Sequence, residues 1–298
     1  VQPPIRHLSR QQIDADRWDA CVEASPHGLP YALSWYLDIV APHWQGLVLG
    51  DYESVFPLPI NRKMLGIPQV FAPFLCQQLG AFSRVPHPTD TARFLESARR
   101  NWYWRFTLPL HAHSEAPENE RWHIRKAPNF LLPLDRNYPA LWAAYSENHR
   151  RNIRKSHQAG LACRHEINLD FFLQKIKTYH RDKGNRIPDQ LYPMAKQLVN
   201  RLLAHDMGRF SVATAPNGDI QAAVFWVQGK NRWINLLNLT LPDGQRNGAM
   251  HGLVDALVRE RAGSGEIIDF EGSALPNLAR FYRGFGAVEM PYSVVQRK

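Results

Sequence analysis

Arg232-Trp-Ile-Asn-Leu-Leu-Asn-Leu-Thr240, then Leu241-Pro-Asp-Gly-Gln-Arg-Asn-Gly248, then a periodic stretch from Met250, is the run on which the reading of this chain turns. Arg232 to Thr240 is rich in β-branched, aromatic and leucine residues and predicts a half-buried strand. Leu241 to Gly248 is crowded with turn formers and predicts a loop. From Met250 the apolar residues fall at Met250, Leu253, Val254, Leu257 and Val258, one face of an α-helix. Ile267-Ile-Asp-Phe270 reads as a second strand, followed by Glu271-Gly272-Ser273. A last helix carries Leu278, Phe281, Tyr282 and Phe285 on one side and stops at Gly284 or Gly286. A strand that feeds a loop and then a helix gathers free backbone N–H groups and the positive end of the helix dipole at one point. That arrangement attracts phosphate.

Outward from this run, the 298 residues suffice for two domains of ordinary size. A hydrophobic fraction of 44% excludes a disordered chain, and the absence of an apolar run of helix-spanning length argues against a transmembrane helix. The opening Val1-Gln-Pro-Pro-Ile lacks the basic and apolar segments of a signal peptide. Cys21, Cys76 and Cys163 are scattered, odd in number and without metal-ligand spacing, which fits a reduced, cytoplasmic compartment. Lys and Arg exceed Asp and Glu by 36 to 27, a net charge of +9. That balance favours an anionic partner or simply a soluble surface.

In the first half, helices are expected over Ile13–Val22 and from Ser34, and strands at Gln45–Leu49, Glu53–Ile60 and Ile67–Leu75. A helix at Thr89–Arg99 follows. Trp102, Trp104, Phe106, Leu108 and Leu110 alternate and predict a strand with one buried face. Strands at Trp122–Lys126 and Phe130–Leu134 complete that half. A helix over Pro139–Gly160 joins the halves, with two more at Leu169–Lys183 and Pro188–His205. Strands Arg209–Ala215 and Ile220–Gln228 flank a hairpin turn at Asn217-Gly218. The order suggests two similarly built α/β units, residues 1–137 and 138–298.

Pro242-x-x-Gln245-x-x-Gly248-x-Met250 resembles the pyrophosphate loop of the GNAT acyltransferases, with Met250 standing where a small residue is expected. Ala279-Arg-Phe-Tyr282-Arg-Gly-Phe-Gly286 resembles their final helix, in which a Tyr often serves as general acid. A FemAB-like group is resembled along almost the whole chain, from about Trp18 to Ala287. The stretches that carry this likeness are Trp18-Asp19, Ser34-Trp35-Tyr36, Pro57-Leu-Pro with its basic turn, and Gln77-Gln-Leu-Gly80. Ser146-Glu-Asn-His-Arg150-Arg-Asn-Ile-Arg-Lys155, Ala159-Gly-Leu161 and Asp269-Phe-Glu-Gly-Ser273 continue it. The resemblance implies an α/β (α+β) fold of two tandem GNAT-like domains, each a mixed, mostly antiparallel sheet flanked by helices. It further implies transfer of an acetyl or aminoacyl group from acyl-coenzyme A (acetyl-CoA) or aminoacyl-tRNA to an amine. FemAB-type enzymes use aminoacyl-tRNA and add amino acids to peptidoglycan precursors. A small-molecule or peptide-precursor amine is therefore the expected acceptor and tRNA an expected partner.

Candidate residues follow. Tyr282 would protonate the leaving thiolate or ribose oxygen, though it also lies on the apolar stripe of its helix, where an aromatic is ordinarily core. Asp269 and Glu271, two apart in a strand and so on one face, would take the proton of the attacking amine, or else cap a helix or pair with Arg280 or Arg283. The donor site is expected at Asn238, Leu239, Gln245, Arg246, Asn247, Gly248 and Ala249, where two strands part near Asn238 to expose backbone N–H groups. The amine would attack directly from an interdomain cleft, without an acyl-enzyme. Arg150, Arg151, Arg154 and Lys155 line one helix face beside His149, with no interleaved acid, and would bind substrate phosphate or tRNA backbone if they are not simply solvated. Arg62 and Lys63, at a hairpin tip, would meet an anionic acceptor. His111 and His113 lack a third ligand, so no metal is expected. Ser264 lacks a nucleophile elbow. Two readings from other classes stay open: a protein that keeps this fold only to bind a ligand, and a nucleic-acid binder driven by charge.

Overall fold

The computed structural model describes residues 3–63, 66–117, 120–182, 187–272 and 275–297. It divides into two compact units, Val1–Pro128 with Met290–Lys298, and Asn129–Glu289.

The first unit begins with β1 (Ile5–Ser9), α1 (Ala15–Ala24), α2 (Ser34–Val40), β2 (Gln45–Leu49) and β3 (Ser54–Leu58). It continues with β4 (Ile60–Lys63), β5 (Ile67–Val70), β6 (Phe82–Ser83), α3 (Asp90–Arg99), β7 (Thr107–Pro109) and β8 (Trp122–Ala127). The Asp14 carboxylate accepts the Arg17 backbone N–H and starts α1. β1, β2, β3 and β6 form an antiparallel sheet. Ser54–Leu58 is buried throughout, because α1 and α3 pack on that sheet with Trp18, Phe56, Phe82 and Phe94. Pro59 interrupts the single strand expected over Glu53–Ile60, and β4 leaves to pair with β5 alone.

The second unit holds β9 (Phe130–Pro133), α4 (Tyr138–Ala144), α5 (Glu147–Gln158), β10 (Ala162–Arg164), α6 (Leu169–Asp182) and α7 (Leu191–Ala204). β11 (Gly208–Thr214), β12 (Ile220–Gly229), β13 (Arg232–Thr240), α8 (Pro242–Arg246), α9 (Ala249–Arg261), β14 (Ile267–Asp269), α10 (Pro276–Gly284) and β15 (Val288–Glu289) follow. β16 (Tyr292–Arg297) then returns to the first unit and lies between β7 and β8. The second unit's sheet runs β10-β11-β12-β13-β14-β9-β15. Its pairs are antiparallel except β13 with β14. Trp226, Leu253, Val254, Leu257 and Phe270 belong to its core.

Phe130–Leu134 reads in the sequence as the last strand of the first half, but β9 pairs with β14 and β15 of the second unit, which begins at Asn129. Pro139–Gly160 is not one helix: the chain breaks at Tyr145–Ser146, and the Ser146 hydroxyl accepts the His149 N–H to open α5. The expected loop at Leu241–Gly248 winds into the short α8, since Pro242 sits at its first turn, where a missing N–H costs nothing. The strand expected from Trp102 is a ladder only over Thr107–Pro109. Phe106, Leu108 and Leu110 are buried, while Trp102 and Trp104 stand exposed.

Candidate active site

β13 and β14 run parallel through only three residue pairs, Arg232 with Ile267, Trp233 with Ile268 and Ile234 with Asp269. β14 then ends, whereas β13 continues to Thr240 paired only with β12. Among the described residues, the edge of Asn235–Thr240 that faces away from β12 has no strand partner. The β12–β13 register also shifts between Phe225 and Trp226, so Leu236 is an extra residue in β13. Such a bulge bends a strand and re-aims its backbone groups. The parting expected near Asn238 is present and begins earlier, after Ile234.

Beside this free edge lies a cavity of about 350 Å³, lined by residues of β13, α6, α8, α9 and α10. Asn235, Asn238, Leu239, Gln245, Met250, His251, Phe281 and Tyr282 are in its wall. Tyr282 is buried, its ring stacked on Phe270 at 4.8 Å between centroids. Burial, and then the nearby Glu271 and Asp269 charges, push its phenol well above the ordinary range, so it stays protonated. A protonated phenol on a cavity wall is a proton donor.

Asp269 closes β14 and is engaged on both oxygens: Oδ2 accepts from Arg232 Nη1 at 2.5 Å, and Oδ1 accepts the Glu271 N–H at 2.9 Å. Asp269 and Glu271 do not share a strand face, because Glu271 has φ +57° and turns the chain out of the strand. Neither carboxylate is in the cavity wall. Ser273 lies outside the described residues.

The expected donor residues separate into two groups. Asn238, Leu239 and Gln245 line the cavity, and the Asn238 amide donates to Asn235 Oδ1 at 3.0 Å. Arg246, Asn247, Gly248 and Ala249 do not line it. Arg246 is ion-paired with Asp243, and the Asn247 amide donates to Gln221 Oε1 at 3.0 Å. Gly248 has φ +68°, and a Cβ there would stand 2.3 Å from the Asn152 carbonyl oxygen of α5. At Gly252 a Cβ would meet Ser156 Oγ at 2.4 Å. Both glycines thus let α5 pack closely on α9, and for Gly248 sequence spacing cannot separate that role from a phosphate cradle.

The α5 cations are placed differently from the expectation of an acid-free face. Glu147 in the first turn pairs with Arg150 at 3.0 Å and approaches Arg154 at 3.9 Å, and Arg151 donates to Asn148 Oδ1 at 2.7 Å. Arg154 borders a second cavity, of about 370 Å³, with Tyr138, Trp142, His157 and Arg259. Lys155 is exposed. In the first unit, Arg62 is exposed and donates to the Gly66 carbonyl at 3.2 Å. The Lys63 side chain lies outside the described residues. His111 is buried with Nε2 2.8 Å from the Ala81 carbonyl, and His113 stacks on His27 at 4.0 Å. Among the described residues no group of three or more His, Cys, Asp or Glu is placed to hold a metal ion. Ser264 Oγ accepts the Glu266 N–H in a turn.

His251 was not singled out from the sequence, because it falls off the apolar stripe of α9. Its ring packs 4.9 Å from Phe281 and 4.7 Å from His149, which α5 supplies from far along the chain. His149 Nε2–H donates to the Phe281 carbonyl at 2.8 Å, its Nδ1 lies 2.9 Å from Ser146 Oγ, and burial lowers its pKa, which favours the neutral ring. Burial, with His149 adding to it, pulls the His251 pKa from 6.5 to about 3. The folded value lies below the unfolded one, so the unfolded chain binds more protons between these two values. Stability from this group is therefore complete above about pH 6.5 and is lost as pH falls toward 3. A slope of about 1.4 kcal/mol per pH unit per histidine is the ceiling. His251→Phe should flatten the decline of unfolding free energy between about pH 6 and 4; a slope unchanged from the parent chain would contradict this account.

No family model and no curated protein matches the sequence. The mixed, mostly antiparallel sheet flanked by helices is an α/β fold of the GNAT-like class. The chain as a whole has a FemX-like fold, a tandem of such units: it superposes on FemX with a TM-score of 0.68 at 11% identity, covering 97% of this chain and 96% of that one. It is similar also to a conserved protein of unknown function from Bacteroides thetaiotaomicron VPI-5482, with a TM-score of 0.63 at 13% identity over 99% of each chain. L-PGS from Bacillus licheniformis matches at a TM-score of 0.58 and 13% identity, over 96% of this chain and 92% of that one. Among the described residues no helix is long and apolar enough to cross a membrane.

Proposed function

We propose that the protein is an N-acyltransferase that moves an aminoacyl group from an ester of tRNA to an amine. The observation that carries this reading is the free edge of β13 after Ile234, opening on a cavity whose wall holds the protonated Tyr282. The ester carbonyl lies along that edge, its oxygen polarised by a β13 backbone N–H. The amine nitrogen attacks the carbonyl carbon, the new C–N bond forms, and the bond to the ribose oxygen breaks. Tyr282 gives its proton to the departing oxygen. Glu271, half-exposed and near enough to shift the Tyr282 pKa, takes the amine's proton through water, while Asp269, held by Arg232, anchors the strand end. Fixing the two reactants against each other supplies much of the acceleration.

The choice of ester over thioester rests on α8 and α9. Asp243 places an acid in the turn where a pyrophosphate would sit, and Gly248 and Gly252 are taken up by contact with α5. The resemblance to FemAB-type enzymes points the same way. Calorimetric titration tests it: aminoacyl-tRNA should bind in the micromolar range, and coenzyme A should give no heat at about 1 mM. Micromolar binding of coenzyme A with none of tRNA would reverse the donor assignment. If neither binds, the protein is not a transferase of either kind.

A further inference from the structure

Trp102 and Trp104 are 64% and 49% exposed, and the segment that carries them is pinned. The Trp104 N–H donates to the Pro68 carbonyl at 3.1 Å, the Val70 N–H to the Arg105 carbonyl at 3.0 Å, and the Asn101 N–H to the Ala98 carbonyl at 3.1 Å. Tyr103 between them turns inward and packs against Phe106 at 6.1 Å. The two indoles are thus held in solvent by a fixed backbone, and a charged rim around exposed apolar surface marks a docking site.

The rim is cationic. Residues 54–89 and 97–114 contain no Asp or Glu, yet they supply Arg62, Arg100 and Arg105, all exposed. The Arg105 guanidinium lies 4.5 Å from the centre of the Trp104 ring. Exposed Arg297 adds another cation, its backbone N–H bonded to the Phe106 carbonyl at 3.2 Å. Indoles favour the headgroup level of a bilayer, and arginines are drawn to its negative surface potential.

We propose that this patch of the first unit seats the protein on the surface of an anionic phospholipid bilayer. Trp102 and Trp104 enter the headgroup layer, and Arg100 and Arg105 meet lipid phosphates. Single-stranded RNA, the rival occupant, needs open aromatic faces on which to stack bases, and Arg105 already covers one face of Trp104. The inference does not depend on transfer activity.

Sedimentation of the full chain with vesicles tests it, using equal parts phosphatidylglycerol and phosphatidylcholine against phosphatidylcholine alone. Binding to the anionic vesicles only is expected, with a blue shift of indole emission and weakening at high salt. The partition coefficient should fall roughly ten-fold in W102A/W104A and roughly five-fold in R105Q. Both indoles are exposed, so the thermal midpoint of W102A/W104A should stay within about 2 °C of the parent. Equal binding to both vesicle types, or anionic-vesicle binding unchanged in W102A/W104A, would overturn the proposal. So would a double variant that loses polyuridylate binding while keeping vesicle binding, which would assign the patch to RNA.

Discussion

Tyr282→Phe is expected to lower kcat for aminoacyl transfer by roughly 10²- to 10³-fold, the range of a single positioned acid, with little change in KM. The substitution removes one oxygen and keeps the ring that stacks on Phe270 and packs near Phe130. Unfolding free energy should therefore move by less than about 1 kcal/mol. Geometry and electrostatics converge on this oxygen. The ring sits in the cavity wall beside the free edge of β13, and burial with the neighbouring carboxylates keeps the phenol protonated. A donor held protonated at neutral pH suits a leaving ribose oxygen, which must gain a proton as its bond to carbon breaks. Glu271→Gln should cost less than Tyr282→Phe, since water can still relay the amine's proton. The check is a single-turnover assay with charged tRNA and the acceptor amine isolated from cell extract. If Tyr282→Phe turns over at the parent rate, the residue is only a core aromatic, and the transfer site lies elsewhere.

Much of the second unit was legible because its signals are local. β13 spans Arg232–Thr240 as its composition indicates, α9 follows the stripe from Met250, and α10 follows Leu278 to Phe285. The hairpin at Asn217-Gly218 joins β11 to β12, with Gly218 at φ +89°. What local pattern did not carry is set by distant partners. β9 looks like the last strand of the first half until β14 and β15 pair with it. The alternation from Trp102 to Leu110 is real, but only Phe106, Leu108 and Leu110 meet a core. Gly248 looks like part of a phosphate cradle by spacing, and only the approach of Asn152 shows what its missing side chain makes room for. His251 carries no motif, and nothing in the stretch around His149 points to its partner. They meet because α5 packs on α9.

Arg232→Met is expected to destabilise the second unit by about 3–5 kcal/mol, the cost of leaving a buried charge without its partner. The Asp269 side chain is 2% exposed and that of Arg232 17%, with 2.5 Å between Nη1 and Oδ2. Water cannot replace the guanidinium at so enclosed an oxygen, and methionine offers similar volume without charge. Adding Asp269→Asn should recover most of the loss, because an amide carries no charge to strand and can still accept the Glu271 N–H. Asp269 also sits at the last rung before β13 and β14 part, opposite Ile234, while Arg232 reaches it from the first rung, so the ion pair spans the whole parallel ladder. Weakening it should speed amide exchange along β13 from Ile234 onward while the β12-facing side stays protected. The double variant then separates two roles for Asp269. If the carboxylate only anchors the strand end, R232M/D269N folds and transfers within roughly ten-fold of the parent rate. If it is the proton acceptor, that variant folds but loses roughly 10²-fold or more in kcat. A destabilisation below about 1 kcal/mol in Arg232→Met alone would mean that the ion pair does not hold the strand end, and the anchoring role assigned to Asp269 would fail with it.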